Sequence, residues 1–145
     1  MMSALLIRAP YIDWVLNGSK TWEIRGSRTA KRGRIGLIQS GTGTIVGIAD
    51  LVDVIGPLRR ADFVSNARKL GVPKSSLRAG SSYAQPYAWV LRNARRLKTP
   101  VRYKHPTGCI IWVKLSPGVQ SAIARELGGT KLRVRPSGKV RATRR

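Results

Sequence analysis

The sequence predicts an α+β domain, a small, mostly antiparallel β-barrel with two or three short flanking helices. Three observations carry this prediction. Apolar and β-branched runs of strand length recur at residues 34–40, 44–55, 87–97 and 109–115. Helical spacing is confined to short stretches at residues 10–18, 61–70 and 117–127. The two kinds of element do not alternate as parallel βαβ units would. A length of 145 residues suits one ordinary domain.

Residues 4–8 read as a short buried strand. Pro10 suits a first helical turn, where its missing N–H costs nothing. Tyr11, Trp14, Val15 and Gly18 recur at helical spacing, and Gly18 suits a left-handed cap. Residues 21–25 are β-prone, with Thr21, Glu23 and Arg25 on one face and Trp22 and Ile24 on the other. Residues 26–33 form a basic loop. Gly41-Thr42-Gly43 is the turn of a hairpin between residues 34–40 and 44–55. One helix is expected over 61–70 through Phe63, Ala67 and Leu70, capped by Gly71. Residues 74–85 read as a mobile connection. The strand at 87–97 continues through 101–103, with Trp89 and Leu91 on one face and Arg92, Ala94 and Arg96 on the other. After a turn at 105–108 comes a strand over 109–115. Ser116 and Pro117 open the last helix as N-cap and first residue. Residues 1–127 are assigned to the domain and 128–145 to a flexible basic tail.

Charge narrows the function. Twenty-eight Lys and Arg face six Asp and Glu, a net charge of +22. Self-repulsion of this size opposes a compact state, and a polyanionic partner relieves it by counterion release. Nucleic acid is the expected partner. The sequence has no apolar run long enough for a membrane span, and no long basic amphipathic helix suits a membrane surface. The apolar start is too short for a secretory signal, so the cytoplasm is the expected location. A single cysteine, Cys109, excludes an internal disulfide and a Cys-based zinc site, and reads as a small buried hydrophobe. His105 is the only histidine, so no His pair can hold a metal. No cofactor is expected, and a monomer is the default.

Residues 10–25 carry the strongest motif, Pro-Tyr-x-x-x-Val-Leu-x-Gly-x-Lys-Thr-x-Glu-x-Arg. It resembles the signature of the ASCH domain, a member of the PUA-like superfamily. The stretches at 32–38, 45–51, 87–91 and 108–113 fit the same layout, so the resemblance spans roughly residues 4–116. It implies a β-barrel with a cleft between the first helix and the sheet. It further implies binding of RNA, sometimes DNA. A few members resemble nucleoside amidohydrolases or ribonucleases. In the amidohydrolase-like members a nucleophilic Thr stands three residues after the motif Lys. Here that position is Glu23, and Asp50 and Asp53 stand where a Glu base would follow. The amidohydrolase chemistry therefore lacks its nucleophile, and the resemblance points to the nucleic-acid-binding branch.

Lys20, Glu23 and Arg25 admit three readings. They bind a nucleotide, with the cations on phosphate or a base edge and Glu23 orienting them. They form a structural ion pair at the helix–strand junction. Or they catalyse, with Glu23 as general base and Lys20 stabilising developing charge on RNA or a modified nucleoside. Tyr11 and Trp14 either stack on a base or plug the barrel. Trp22, Trp89 and Trp112 read as core. Asp50 shares a strand face with valines. It is either buried against Lys20 or Arg25 or turned outward by a bulge near Gly47. Arg28, Lys31, Arg32, Arg34, Arg92, Arg96 and Lys104 complete the expected nucleic-acid surface, with RNA ahead of DNA. A partner-binding or ribosome-associated module is the remaining alternative.

Overall fold

The computed structural model describes residues 2–71 and 83–128. Most of the 74–85 connection and the basic residues beyond 128 lie outside the described residues. The elements run β1 (Ser3–Ile7), α1 (Tyr11–Leu16), β2 (Trp22–Arg25), β3 (Gly33–Gln39) and β4 (Thr44–Ile55). They continue with α2 (Arg60–Ser65), α3 (Ala67–Leu70), β5 (Tyr87–Arg102), β6 (Trp112–Lys114) and α4 (Pro117–Gly128). The six strands form one mixed sheet in the order β2-β5-β4-β3-β1-β6. All neighbours are antiparallel except β1 and β3, which run parallel with Leu5 opposite Leu37.

The sheet curls into a half-barrel. In a flat sheet β2 and β1 would lie four strand spacings apart, roughly 19 Å. Instead an Arg25 N–H on β2 donates to the Leu6 carbonyl on β1. Trp89 on β5 and Trp112 on β6, also four strands apart, stack with centroids 5.6 Å apart. The curl produces three apolar clusters. Leu5, Ile7, Leu37, Leu51, Trp89 and Leu91 fill the inside beneath Ile12, Val15 and Leu16 of α1. Ala4, Leu6, Ile38, Ile48 and Leu97 pack with Ile123 of α4. Trp22, Ala88 and Val90 pack beneath Phe63, Ala67 and Leu70 of α2 and α3. Both faces of β1 are covered, so after Ser3 its sequence is a continuous apolar run with no alternation.

Four local expectations change. The buried stripe of α1 is Ile12, Val15 and Leu16, which leaves Tyr11 exposed and Trp14 half-buried. Leu16 packs closely onto β4 at Gly47, where a Cβ would lie 2.3 Å from Leu16 Cδ2 and 2.6 Å from the Arg95 carbonyl oxygen. The helix expected over 61–70 is two short helices. Asn66 breaks it: its backbone leaves the helical region at φ −117°, ψ 26°, while its side-chain amide donates to the Asp62 carbonyl. The last strand is only Trp112–Lys114, although the Ile111 carbonyl still accepts from Leu6. Cys109 precedes that strand and is only partly buried.

The fourth change is in β5. Ile48 pairs with Arg95 and Asp50 with Arg92, so β5 holds one extra residue between these pairs. Asn93 lies there at φ 54°. The bulge reverses the alternation that the sequence suggests. Ala94 joins the inner cluster with Trp89, and Arg96 reaches α1, while Arg92 lies over the outer face. Asp50 bonds Asn93, not Lys20 or Arg25, with N···O 2.9 Å. The final helix starts as expected, with Ser116 Oγ accepting from the Val119 amide.

Gly47→Ala is expected to destabilise the fold by about 1–3 kcal/mol, since β5 backbone must shift to admit the methyl group. Gly118→Ala meets open space at the start of α4 and should stay within about 0.5 kcal/mol of the parent. Denaturant midpoints of the two variants make the comparison, and equal midpoints would refute the packing argument.

Candidate functional site

Three elements deliver the motif side chains to one place. Gly18, at φ 86°, ends α1 and turns the chain so that the Lys20 amide bonds the Trp14 carbonyl. β2 then places Glu23 opposite Trp89 and turns both Glu23 and Arg25 to the inside of the half-barrel. Trp22 and Ile24 take the outer face under α2 and α3, as alternation predicts.

Glu23 is 8% exposed and Lys20 6%. Glu23 Oε2 accepts from Arg25 Nε at 3.1 Å and lies 3.0 Å from Arg25 Nη2. Lys20 Nζ lies 3.9 Å from Glu23 Oε1 and donates to the Leu70 carbonyl at 3.3 Å. It also sits 5.7 Å from the centre of the Tyr11 ring. The Arg25 guanidinium lies 5.7 Å from the Trp89 ring centre. A buried carboxylate is thus held between two cations, and each cation has a carbonyl and an aromatic face as further partners. Burial holds the Lys20 ammonium below its ordinary value; Glu23 opposes that shift and Arg25 adds to it.

Tyr11 is 40% exposed and meets Trp14 edge to face at 5.5 Å. Neither plugs the inner cluster; the exposed Tyr11 ring stands beside Lys20, with the half-buried Trp14 ring against it. The basic loop between β2 and β3 is anchored by Trp89 Nε1, which donates to the Ser27 carbonyl at 2.9 Å. Lys31 sits 5.3 Å from the Trp112 ring centre, and Arg28 lies 5.1 Å from that of Tyr87 while donating to the Gly56 carbonyl. Arg32 donates to the carbonyls of Thr29 and Lys31, which shapes the loop from within. Arg96 pairs with Asp13 of α1 at 3.4 Å, both well exposed. Arg34 and Arg92 flank Asp50 from the two neighbouring strands. Lys104 lies exposed beyond β5, beside the chain Tyr103–His105–Cys109, in which His105 Nε2 meets the Cys109 carbonyl at 2.8 Å.

Two parts of the site had no sequence signal. The Leu70 carbonyl reaches Lys20 across fifty residues. Trp89 and Trp112 line the wall behind Arg25 because β5 pairs with β2 and the sheet curls. Among the described residues no cluster of three or more His, Cys, Asp and Glu could hold a metal, and no helix is long and apolar enough to cross a membrane.

Arg25→Met is expected to cost about 3–5 kcal/mol of stability, because it leaves Glu23 buried with only the distant Lys20. Lys20 also has a testable pH signature. In the window just below its ordinary 10.5 the unfolded chain holds more protons at Lys20 than the folded chain. Raising the pH toward 10.5 therefore favours the folded form. Wild type should gain stability relative to Lys20→Met over that window, measured by urea denaturation; a pH-independent difference would overturn the assignment.

Comparison with known proteins agrees with this architecture. The ASCH domain family matches residues 5–101. The crystal structure of the ASCH protein from Zymomonas mobilis superposes with a TM-score of 0.64 at 14% identity, covering 85% of this chain and 93% of that one. A Tyr-to-Phe variant of the same protein gives 0.64 and a Ser-to-Ala variant 0.63, both at 14% identity and 85% of this chain, with 96% and 94% of theirs covered. A search of curated proteins finds no significant match. The motif of residues 10–25, the curled mixed sheet it feeds and the match over most of the chain place this protein in the ASCH domain family.

Proposed function

We propose that this ASCH protein is a nucleic-acid-binding module that prefers RNA and reads one nucleotide at the Lys20–Glu23–Arg25 cleft. The carrying observation is an ordered, buried cation–carboxylate–cation set beside exposed Tyr11 and half-buried Trp14, in a chain of net charge +22. The aromatic rings offer faces on which an unpaired base stacks. Glu23 Oε1 keeps acceptor capacity toward an exocyclic amine, because Arg25 is held on Oε2. Lys20 and Arg25 carry donors toward phosphate or a base edge. Arg28, Lys31, Arg32, Arg34, Arg92, Arg96 and Lys104 supply sequence-independent phosphate contacts, joined by the basic residues beyond 128.

One observation favours a second reading, an RNA-processing hydrolase. Lys20 is held below its ordinary value next to a carboxylate, as working lysines are in active sites. Against it, Arg25 grips Glu23 on one oxygen, which suits an orienting group better than a free base.

The deciding experiment is binding of nuclease-treated protein to single-stranded RNA, duplex RNA and duplex DNA across a salt series, with each substrate checked for cleavage. Tight, salt-steep binding without cleavage is expected, strongest for single-stranded RNA. Replacing Arg28, Lys31 and Arg32 by Ala should weaken all ligands alike. On single strands it should flatten the salt slope by about 0.7 for each phosphate that is no longer neutralised. Lys20→Ala should instead change which ligand is preferred. Equal effects from the two changes would sink the division of labour. Cleavage abolished by Glu23→Gln would move the hydrolase reading to first place.

A further inference from the structure

The outer face of the sheet carries a feature that the cleft does not use. The paired helices α2 and α3 cover β2 and β5 through Phe63, Ala67 and Leu70 but stop short of β4. Val52 and Ile55 of β4 are left 42% and 39% exposed. Between them and α3 lies an open groove of about 470 Å³, bounded also by Trp22, Val90, Asp53 and Lys69, with Arg92 and Asn93 at one end. Strand alternation from the inward Trp89 and Leu91 puts Arg92 on this side, and the bulge at Asn93 sends only the later Arg96 toward α1.

Three properties of the groove converge. Its floor is apolar, from Val52, Ile55, Val90 and the edge of Trp22. Its rim holds two cations, Lys69 and Arg92, neither of which has a carboxylate partner among the described residues. Lys69 is held at 5.1 Å from the Trp22 ring centre, so its ammonium is pre-positioned at the rim. Asp53 adds an acceptor, since only Oδ1 is bonded, to the Val54 amide. An apolar floor, two cations and a carboxylate acceptor suit a molecule with a flat apolar ring, donor edges and a phosphate. The volume is within the range of small-ligand sites.

We propose that this groove is a second nucleotide site, on the opposite face of β2 and β5 from the Lys20 cleft. The base lies over Val52, Ile55 and Val90, Asp53 accepts from its exocyclic amine, and Lys69 and Arg92 bind the phosphate. The site stands on residues separate from the cleft and extends the nucleic-acid reading without depending on Lys20. Its ligand is either a free nucleotide or one unit of a single strand, which share this chemistry.

The test is a titration of the isotope-labelled full-length protein, followed by backbone amide shifts. The probes are cytidine monophosphate, adenosine monophosphate, inorganic phosphate and a six-nucleotide single-stranded RNA. A mononucleotide should shift Thr21, Asp53, Arg92 and Asn93, and inorganic phosphate should not reproduce the pattern. The double variant Lys69→Ala/Arg92→Ala should weaken mononucleotide binding about tenfold or more. Val52→Glu, at an exposed position that tolerates charge, should block it. Groove shifts with the oligonucleotide assign the site to a strand; groove shifts with mononucleotides alone assign it to free nucleotides. Absence of groove shifts, the same shifts with phosphate alone, or a double variant that binds like wild type would each overturn the proposal. Failure of the cleft reading has a different signature: groove shifts persist while Lys20→Ala changes no RNA affinity.

Discussion

The guanidinium of Arg25 is the interaction on which the rest of the structure depends. The six-stranded sheet does not close through a hydrogen-bonded ladder, because its edge strands β2 and β6 are not neighbours. Arg25 bridges the gap with a side chain. It donates to the Leu6 carbonyl, holds Glu23 and packs against Trp89. Only a planar group with several fixed donors can serve an acceptor on another strand, a carboxylate and an aromatic face at once. A lysine at this position would have a compact charge and could not span the set.

Lys20 shows why α3 belongs to the site. A buried ammonium is costly unless it is hydrogen-bonded and charge-compensated. Glu23 supplies the charge, and Leu70 supplies a carbonyl from the last turn of a helix, where carbonyls lack intrahelical partners. The break at Asn66 sets where that last turn lies. The same short helix brings Lys69 to the outer groove. One helix therefore serves both faces of β2, with the Lys69 side chain over Trp22 and the Leu70 backbone carbonyl on Lys20.

The charge excess acts on a different scale. Few carboxylates are available, and the structure uses them sparingly. Glu23 neutralises two buried cations, Asp13 meets Arg96, and Asp50 bonds Asn93 between Arg34 and Arg92. Asp62 holds the start of α2 by accepting from the Arg59 amide, and Glu126 accepts from the Thr99 amide to tie α4 to β5. All but Asp53 are thus engaged in contacts that anchor or join elements, and six acids cannot match twenty-eight Lys and Arg. That distribution favours a polyanionic partner over internal neutralisation.

Local patterns determined much of this protein. Strand alternation placed Trp22 and Glu23 on opposite faces, Gly18 and Ser116 marked helix ends, and the motif of residues 10–25 identified the family and singled out Lys20, Glu23 and Arg25, though not their burial. These signals are short-range, so they survive in a single sequence. What tertiary structure decided lies where distant segments meet. The parallel pairing of β1 with β3, the reach of Arg25 to Leu6 and the Leu70 carbonyl on Lys20 depend on sheet order and curl, which leave no local trace. The bulge at Asn93 separated Arg92 from Arg96, because one extra residue inverts every later side chain in a strand. The packing of Ile12, Val15 and Leu16 into the sheet, with Leu16 against the bare Gly47 backbone, left Tyr11 exposed and Trp14 half-buried, because which stripe of α1 is buried depends on the surface it meets.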